Sequence, residues 1–228
     1  MTRPSGAAPS DGPGARTVVL VRHGETPLTE VGAFSGGGVA GPSLTTRGRT
    51  QAARAADATF RIGKDLWPDL ARPAAVVASP AARTLETAVA VGRRTGQPVR
   101  TDARFDECDF GEWEGLAADR VAEGWPAELE AWATSGTHRA PGGESLAEVA
   151  DRAWAGLADV VVGATVVVTH LVAIRSMVGR ALDAPPSSWR LLRVPPCSLT
   201  VLRLRPGGTG GPGIVAVEVA AVGHPTDR

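Results

Sequence analysis

Cysteine is nearly missing: the 228 residues hold only Cys108 and Cys197. Two thiols in a chain this long exclude a disulfide framework, and both are expected to be reduced structural groups. Metal ligands are equally sparse. The four histidines and two cysteines show no zinc-like spacing, and no carboxylate–histidine cluster suggests a metal-dependent hydrolase. No metal and no other cofactor is therefore expected. Charge of one sign is missing too. Lys plus Arg and Asp plus Glu each number 24, a formal net charge of zero. That argues against nucleic acid or an anionic membrane as the main partner, while leaving room for a local basic pocket. No apolar stretch reaches the length of a transmembrane span, and residues 1–16, rich in Gly, Pro, Ser and Ala, lack the apolar core of a signal peptide. The chain reads as cytoplasmic, with a disordered tail over 1–16 and one domain over 17–228.

What is present is a run of apolar strands alternating with helical patterns. Residues 17–22, 74–79 and 164–169 are short Val- and Ala-rich segments of the kind buried in a parallel sheet. Residues 26–44 are Gly-rich and read as a loop. A helix from Arg47 follows the capping threonines Thr45 and Thr46, and another over 81–96 has Pro80 at an early position and Gly96 as its stop. Residues 61–73 are a connection, 98–101 an edge strand, and 116–135 a helical stretch broken at Trp125 and Pro126. Helices over 144–162 and 171–183 flank the third apolar strand. Strands over 198–205 and 214–222, joined by the turn-rich segment 207–213, close the chain. The expected fold class is α/β, a three-layer α/β/α sandwich with a mainly parallel central sheet.

In such sheets ligands bind beyond the carboxyl ends of the strands. Three strand ends deliver chemistry: Arg22, His23 and Gly24 after the first, Ser79 after the second, Thr169 and His170 after the third. A histidine with one nitrogen unprotonated and the other held by a hydrogen bond is a nucleophile toward phosphorus. Arginine stays charged at any working pH and meets two phosphoryl oxygens in one plane. Arg83, on the first turn of a helix, adds a second guanidinium near a helix N-terminus. Glu107, among Phe105, Phe110 and Trp113, is a carboxyl whose burial would raise its pKa. Each has a plainer reading, a core histidine, a surface ion pair or a solvated acidic loop. Arg47 and Arg49 are best read as a solvated helix face.

Taken in order, Arg22-His23-Gly24-Glu25-Thr26, Ser79 through Arg83 to Thr87, Glu107 through Gly115, and Thr169-His170 resemble the histidine phosphatase, or phosphoglycerate mutase-like, superfamily. The resemblance covers about 17–204. It implies a phosphohistidine on His23, phosphate clamps from Arg22 and Arg83, and Glu107 as general acid. It also implies a largely protonated His170 that donates to the phosphoryl oxygens. Gly24, Thr29, Ser35, Gly36 and Leu171 make up the implied substrate-binding set. Thr29 stands where the family often has asparagine, and Leu171 where it commonly has glycine, which narrows the space above the amide.

The acid segment has the phosphatase-like form, and the chain contains no tyrosine, whereas mutase-like members typically carry one there. The resemblance thus implies a metal-independent phosphomonoesterase acting on a small-molecule phosphate ester. Phosphoglycerate mutase-type transfer is the runner-up. The C-terminal third looks like actinobacterial phosphatases similar to α-ribazole phosphatase, and a non-catalytic phosphate-binding module is a further alternative. Apolar edges over 198–222 could pair two copies as a homodimer, although pairing within the chain is simpler.

Overall fold

The structure, a computed structural model, describes residues 16–159, 163–206 and 214–227. Strand β1 (Arg16–Arg22) is apolar and buried along its centre, which suits a strand covered on both faces. The short helix α1 (Pro27–Glu30) and helix α2 (Thr46–Arg61) follow. Next come β2 (Pro73–Ala78), α3 (Ala82–Thr95) and β3 (Val99–Thr101). Helices α4 (Ala118–Gly124), α5 (Pro126–Ser135) and α6 (Leu146–Ala158) lead to β4 (Gly163–Thr169). The chain continues through α7 (Leu171–Ala181), α8 (Pro186–Trp189), β5 (Leu199–Pro206) and β6 (Ile214–His224).

The described strands form one six-stranded sheet in the order β3-β2-β4-β1-β5-β6. β1, β4, β2 and β3 run parallel, while β5 lies antiparallel to both β1 and β6. The α/β class with a mainly parallel sheet is therefore what the chain adopts. Alternate residues of β1 serve opposite faces. Val19 and Val21 pack with Ala52, Ala55 and Val91 of α2 and α3, whereas Val18 and Leu20 pack with Val149, Ile174 and Phe105 on the other side. This two-sided burial makes the three layers.

Local chemistry sets the helix ends. The Thr45 side chain accepts from the Gly48 amide, and Gly96 closes α3 in the left-handed region at φ 73. Ser145 and Glu148 form a reciprocal capping box at the start of α6. Three expectations change. The segment 26–44 is not loop throughout, because the Thr26 side chain caps α1 and Pro27 suits its first turn. Pro80 precedes α3, whose N-cap is Ala81. The expected helix over 144–162 is ordered by its cap at Ser145 and runs to Ala158; residues 160–162 lie outside the described residues. So do the turn over 207–213 and the expected tail, except Arg16, which begins β1.

Candidate active site

Register brings the two histidines together. β1 and β4 are parallel with Arg22 opposite Thr169, so the next residues, His23 and His170, leave the sheet side by side. Their rings lie edge to face with centroids 5.1 Å apart. The His23 amide donates to the Thr169 carbonyl at 2.9 Å, which pins the exit of β1 to that of β4.

His23 Nδ1 is 2.7 Å from the Gly24 carbonyl oxygen. A carbonyl only accepts, so Nδ1 carries the proton and Nε2 keeps its lone pair. Burial, then Arg22 and Arg83, push the His23 pKa well below the usual histidine value, which keeps the ring neutral. Gly24 does not line the cavity beside His23. Its carbonyl orients the ring and its amide donates to Thr87 Oγ1 at 3.1 Å. A Cβ on Gly24 would sit 2.5 Å from the Gly48 carbonyl oxygen, so the backbone of α2 can approach only a glycine here.

His170 is fully buried behind His23. Its Nε2 pairs with Ser79 Oγ at 2.8 Å, and Ser79 Oγ reaches Asp106 Oδ1 at 2.5 Å. Its Nδ1 accepts from Arg83 Nε at 3.3 Å. Arginine cannot accept, so Nδ1 is bare and His170 is the neutral Nε2–H tautomer. The expectation of a largely protonated donor is thus not the state seen. Burial, Arg83 and His23 all hold its pKa well below the usual value.

Both buried histidines add a pH dependence to stability. Their folded pKa values lie well below the ordinary histidine value of about 6.5, so the unfolded chain binds more protons as pH falls through that value. Each then removes stability as pH falls. Glu107, whose folded pKa is raised above 4.5, acts in the opposite sense: its share of stability falls as pH rises from that value toward its folded pKa. The two histidines, held well below their usual value, predict stability rising from pH 5 to 6.5 against the smaller opposing shares of Glu107 and Asp106. Urea unfolding at several pH values checks this, and a flat profile contradicts it.

The two arginines sit differently. Arg22 lines the cavity, with Nη1 donating to the Val194 carbonyl at 2.8 Å; burial brings its pKa down to about 10. Arg83 is fully buried and does not line the cavity. Its Nη2 donates to the carbonyls of Ser35 and Gly36 at 3.0 and 3.2 Å, while its Nη1 is buried without a partner. Arg83 thus holds the 35–36 loop down over the histidine pair.

Glu107 is buried at the start of α7. Oε1 accepts from the amides of Cys108, Val172 and Ala173 at 3.0, 3.1 and 3.3 Å, and Oε2 from Val172 at 3.2 Å. His170 supplies no side-chain cap to α7, so Glu107 satisfies the free amides of that helix from a distant segment. Burial raises its pKa, and the Cys108 and Val172 amides and both arginines pull the other way; the net shift is upward.

A cavity of about 350 Å³ opens over these groups, lined by Arg22, His23, Thr29, Ser35, Glu107 and Leu171 among others. Thr29 Oγ1 is tied to Thr26 Oγ1 at 2.9 Å. The Ser35 hydroxyl is buried without a partner. The Gly36 amide, expected to bind phosphate, is engaged by Glu114 Oε2 at 2.7 Å. Arg47 is exposed and pairs with Glu25 at 3.4 Å, and Arg49 donates to the Leu44 carbonyl. Cys108 and Cys197 are free and buried; burial raises both thiols, Cys197 to about 12.

Sequence reasoning missed Arg152. Its guanidinium spans both oxygens of Glu144 at 2.9 Å and donates to the carbonyls of Arg104, Asp106 and Glu107 at 3.0, 2.7 and 2.8 Å. It therefore holds the backbone that presents Glu107. One signal was available: Arg152 falls three residues after Val149 and four before Gly156, on the apolar stripe of α6, where an arginine is found only with partners.

The model of the histidine phosphatase superfamily (branch 1) matches residues 18–211. A bifunctional protein of Mycobacterium tuberculosis is 37% identical over 171 residues, 73% of this chain and 44% of that protein. The chain thus spans less than half the length of that relative. A glucosyl-3-phosphoglycerate phosphatase of the same organism is 33% identical over 191 residues, covering 78% of this chain and 80% of the relative. The solved structure of a mycobacterial glucosyl-3-phosphoglycerate phosphatase complexed with VO3 superimposes with a TM-score of 0.75 at 28% identity, covering 92% of this chain and 99% of that one. Among the described residues no helix is long and apolar enough to cross a membrane. Strand order, paired histidines and matched sequence agree: the chain belongs to the histidine phosphatase superfamily, branch 1.

Proposed function

We propose that this chain is a phosphomonoesterase that hydrolyses small phosphate esters through a phosphohistidine on His23, without a metal. The observation that carries the reading is the His23 Nδ1–Gly24 bond, which leaves a bare Nε2 on a neutral ring that lines one cavity with Arg22 and Glu107. Nε2 attacks phosphorus, the P–N bond forms and the P–O bond to the alcohol breaks. Glu107, whose pKa burial raises, gives a proton to the departing oxygen. Water then attacks the phosphohistidine, Glu107 takes a proton from it, and the P–N electron pair returns to Nε2 as inorganic phosphate leaves.

Arg22 neutralises charge on the phosphoryl oxygens directly. Arg83 acts beside it once its Nε turns from His170 toward the dianion. The dianion raises the His170 pKa, so Nδ1 takes a proton and donates to a phosphoryl oxygen. Asp106 and Ser79 hold the ring for that role. The similarity to the glucosyl-3-phosphoglycerate phosphatase of Mycobacterium tuberculosis supports hydrolysis.

Glu107→Gln tests the acid. Turnover of alkyl phosphates should fall by about 10²–10⁴-fold. An aryl phosphate should lose far less, because a phenolate leaves with little help. Equal losses on both would remove Glu107 from the role. Assays in chelator accompany this test; loss of wild-type activity there would contradict the metal-free mechanism.

A further inference from the structure

A second cavity, a groove of about 900 Å³, shares no lining residue with the catalytic one. One wall is a face of α2, where Thr46, Thr50 and Arg54 recur at four-residue spacing. The other wall is the chain that leads into β5, with Arg193, Pro195, Pro196 and Ser198, and residues 225–227 complete the lining. Both walls bond to the turn behind His23. Gln51 Oε1 accepts from the Glu25 amide at 2.9 Å, and the Cys197 amide donates to the Arg22 carbonyl at 3.0 Å.

The groove is basic in a chain with no net charge. Arg47, Arg54 and Arg193 line it against one carboxylate, Asp227. Arg47 is engaged by Glu25 at 3.4 Å. Among the described residues no carboxylate pairs with Arg54 or Arg193, and these two stand on opposite walls. The hydroxyl protons around them are spent within the protein. Thr50 donates to the Thr46 carbonyl at 3.2 Å, Ser198 to the Pro195 carbonyl at 2.8 Å and Thr226 to the Cys197 carbonyl at 3.2 Å. The donors left for a ligand are the two guanidiniums and the Gln51 amide group, a set that suits an anion.

We infer that this groove binds a small molecule with a diphosphate on a flat organic body, the chemistry of a nucleoside diphosphate. A diphosphate offers one phosphoryl group to each wall, and a guanidinium can meet two oxygens of each. The groove is much larger than an inorganic diphosphate needs and lies within the range of small-molecule sites. Pro195, Pro196 and Pro225 supply rigid apolar surface for the flat part. The site is separate from phosphoryl transfer at His23, and its ligand is bound without being consumed.

The test titrates ADP into the His23→Ala protein by calorimetry in chelator, so that neither turnover nor a metal contributes. ADP should bind, and adenosine should not. Adding Arg54→Gln and Arg193→Gln together should weaken ADP binding about tenfold or more, whereas adding Arg22→Gln should leave it unchanged. The two groove substitutions in an otherwise wild-type chain should leave hydrolysis of an aryl phosphate unchanged. Asp227→Asn removes the one opposing charge and should tighten ADP binding about twofold; it carries the test if the double variant does not fold. Absence of ADP binding, equal binding of adenosine, or an affinity that falls with Arg22→Gln and not with the groove arginines would overturn the inference. So would an Asp227→Asn variant that binds ADP no more tightly. None of these results bears on the phosphatase reading.

Discussion

Replacing His23 by alanine should lower turnover of every phosphomonoester by roughly 10⁴-fold or more, because it removes the atom that bonds to phosphorus. The arginines and Glu107 that remain can bind the ester but cannot form the intermediate. The fold should survive. The ring makes one hydrogen bond, to the Gly24 carbonyl, and one edge contact, to His170. Losing them leaves one acceptor unpaired, about 1–3 kcal/mol. Steady-state assays with a thermal melt on the same preparation check both halves. A folded variant within tenfold of wild type would remove His23 as the nucleophile.

Arg152→Ala should be the most damaging single change to stability away from the apolar core. Truncation strands the Glu144 carboxylate, whose side chain is 24% exposed, and frees the carbonyls of Arg104, Asp106 and Glu107 together. Breaking a largely buried pair in this way costs about 3–5 kcal/mol, which in a domain of this size lowers the melting temperature by roughly 10 °C. Activity on alkyl esters should fall further than stability explains, because Glu107 hangs from the same guanidinium. Arg152→Lys should fall between, since an ammonium cannot span the carboxylate and reach three carbonyls at once. Urea unfolding of both variants measures the loss; one below about 1 kcal/mol for the alanine variant would contradict the account.

The scaffold was legible because its elements are locally determined. The apolar run of β1 and the caps at Thr45 and Gly96 sit within a few residues of the structure they cause. Three strand ends carrying Arg22, Ser79 and His170 pointed to one end of the sheet, where the structure brings them together. What escaped depends on partners far along the chain. Glu107 caps α7 across 65 residues, Arg83 holds a loop 47 residues before it, and Arg152 grips carbonyls 45 residues away. The tautomers of His23 and His170 follow from single contacts that only the folded register creates. The bond from the Gly36 amide to Glu114 escaped for the same reason: nothing near Gly36 in the chain announces Glu114.

The central claim is that a phosphoryl group spends part of each turnover on His23. Mixing the protein with a radiolabelled aryl phosphate, quenching within milliseconds in base and sequencing the labelled peptide tests it most directly. The account predicts label that survives base, is lost in acid, and maps to His23 in the peptide after β1. Label on another residue, or none during active turnover, would contradict it.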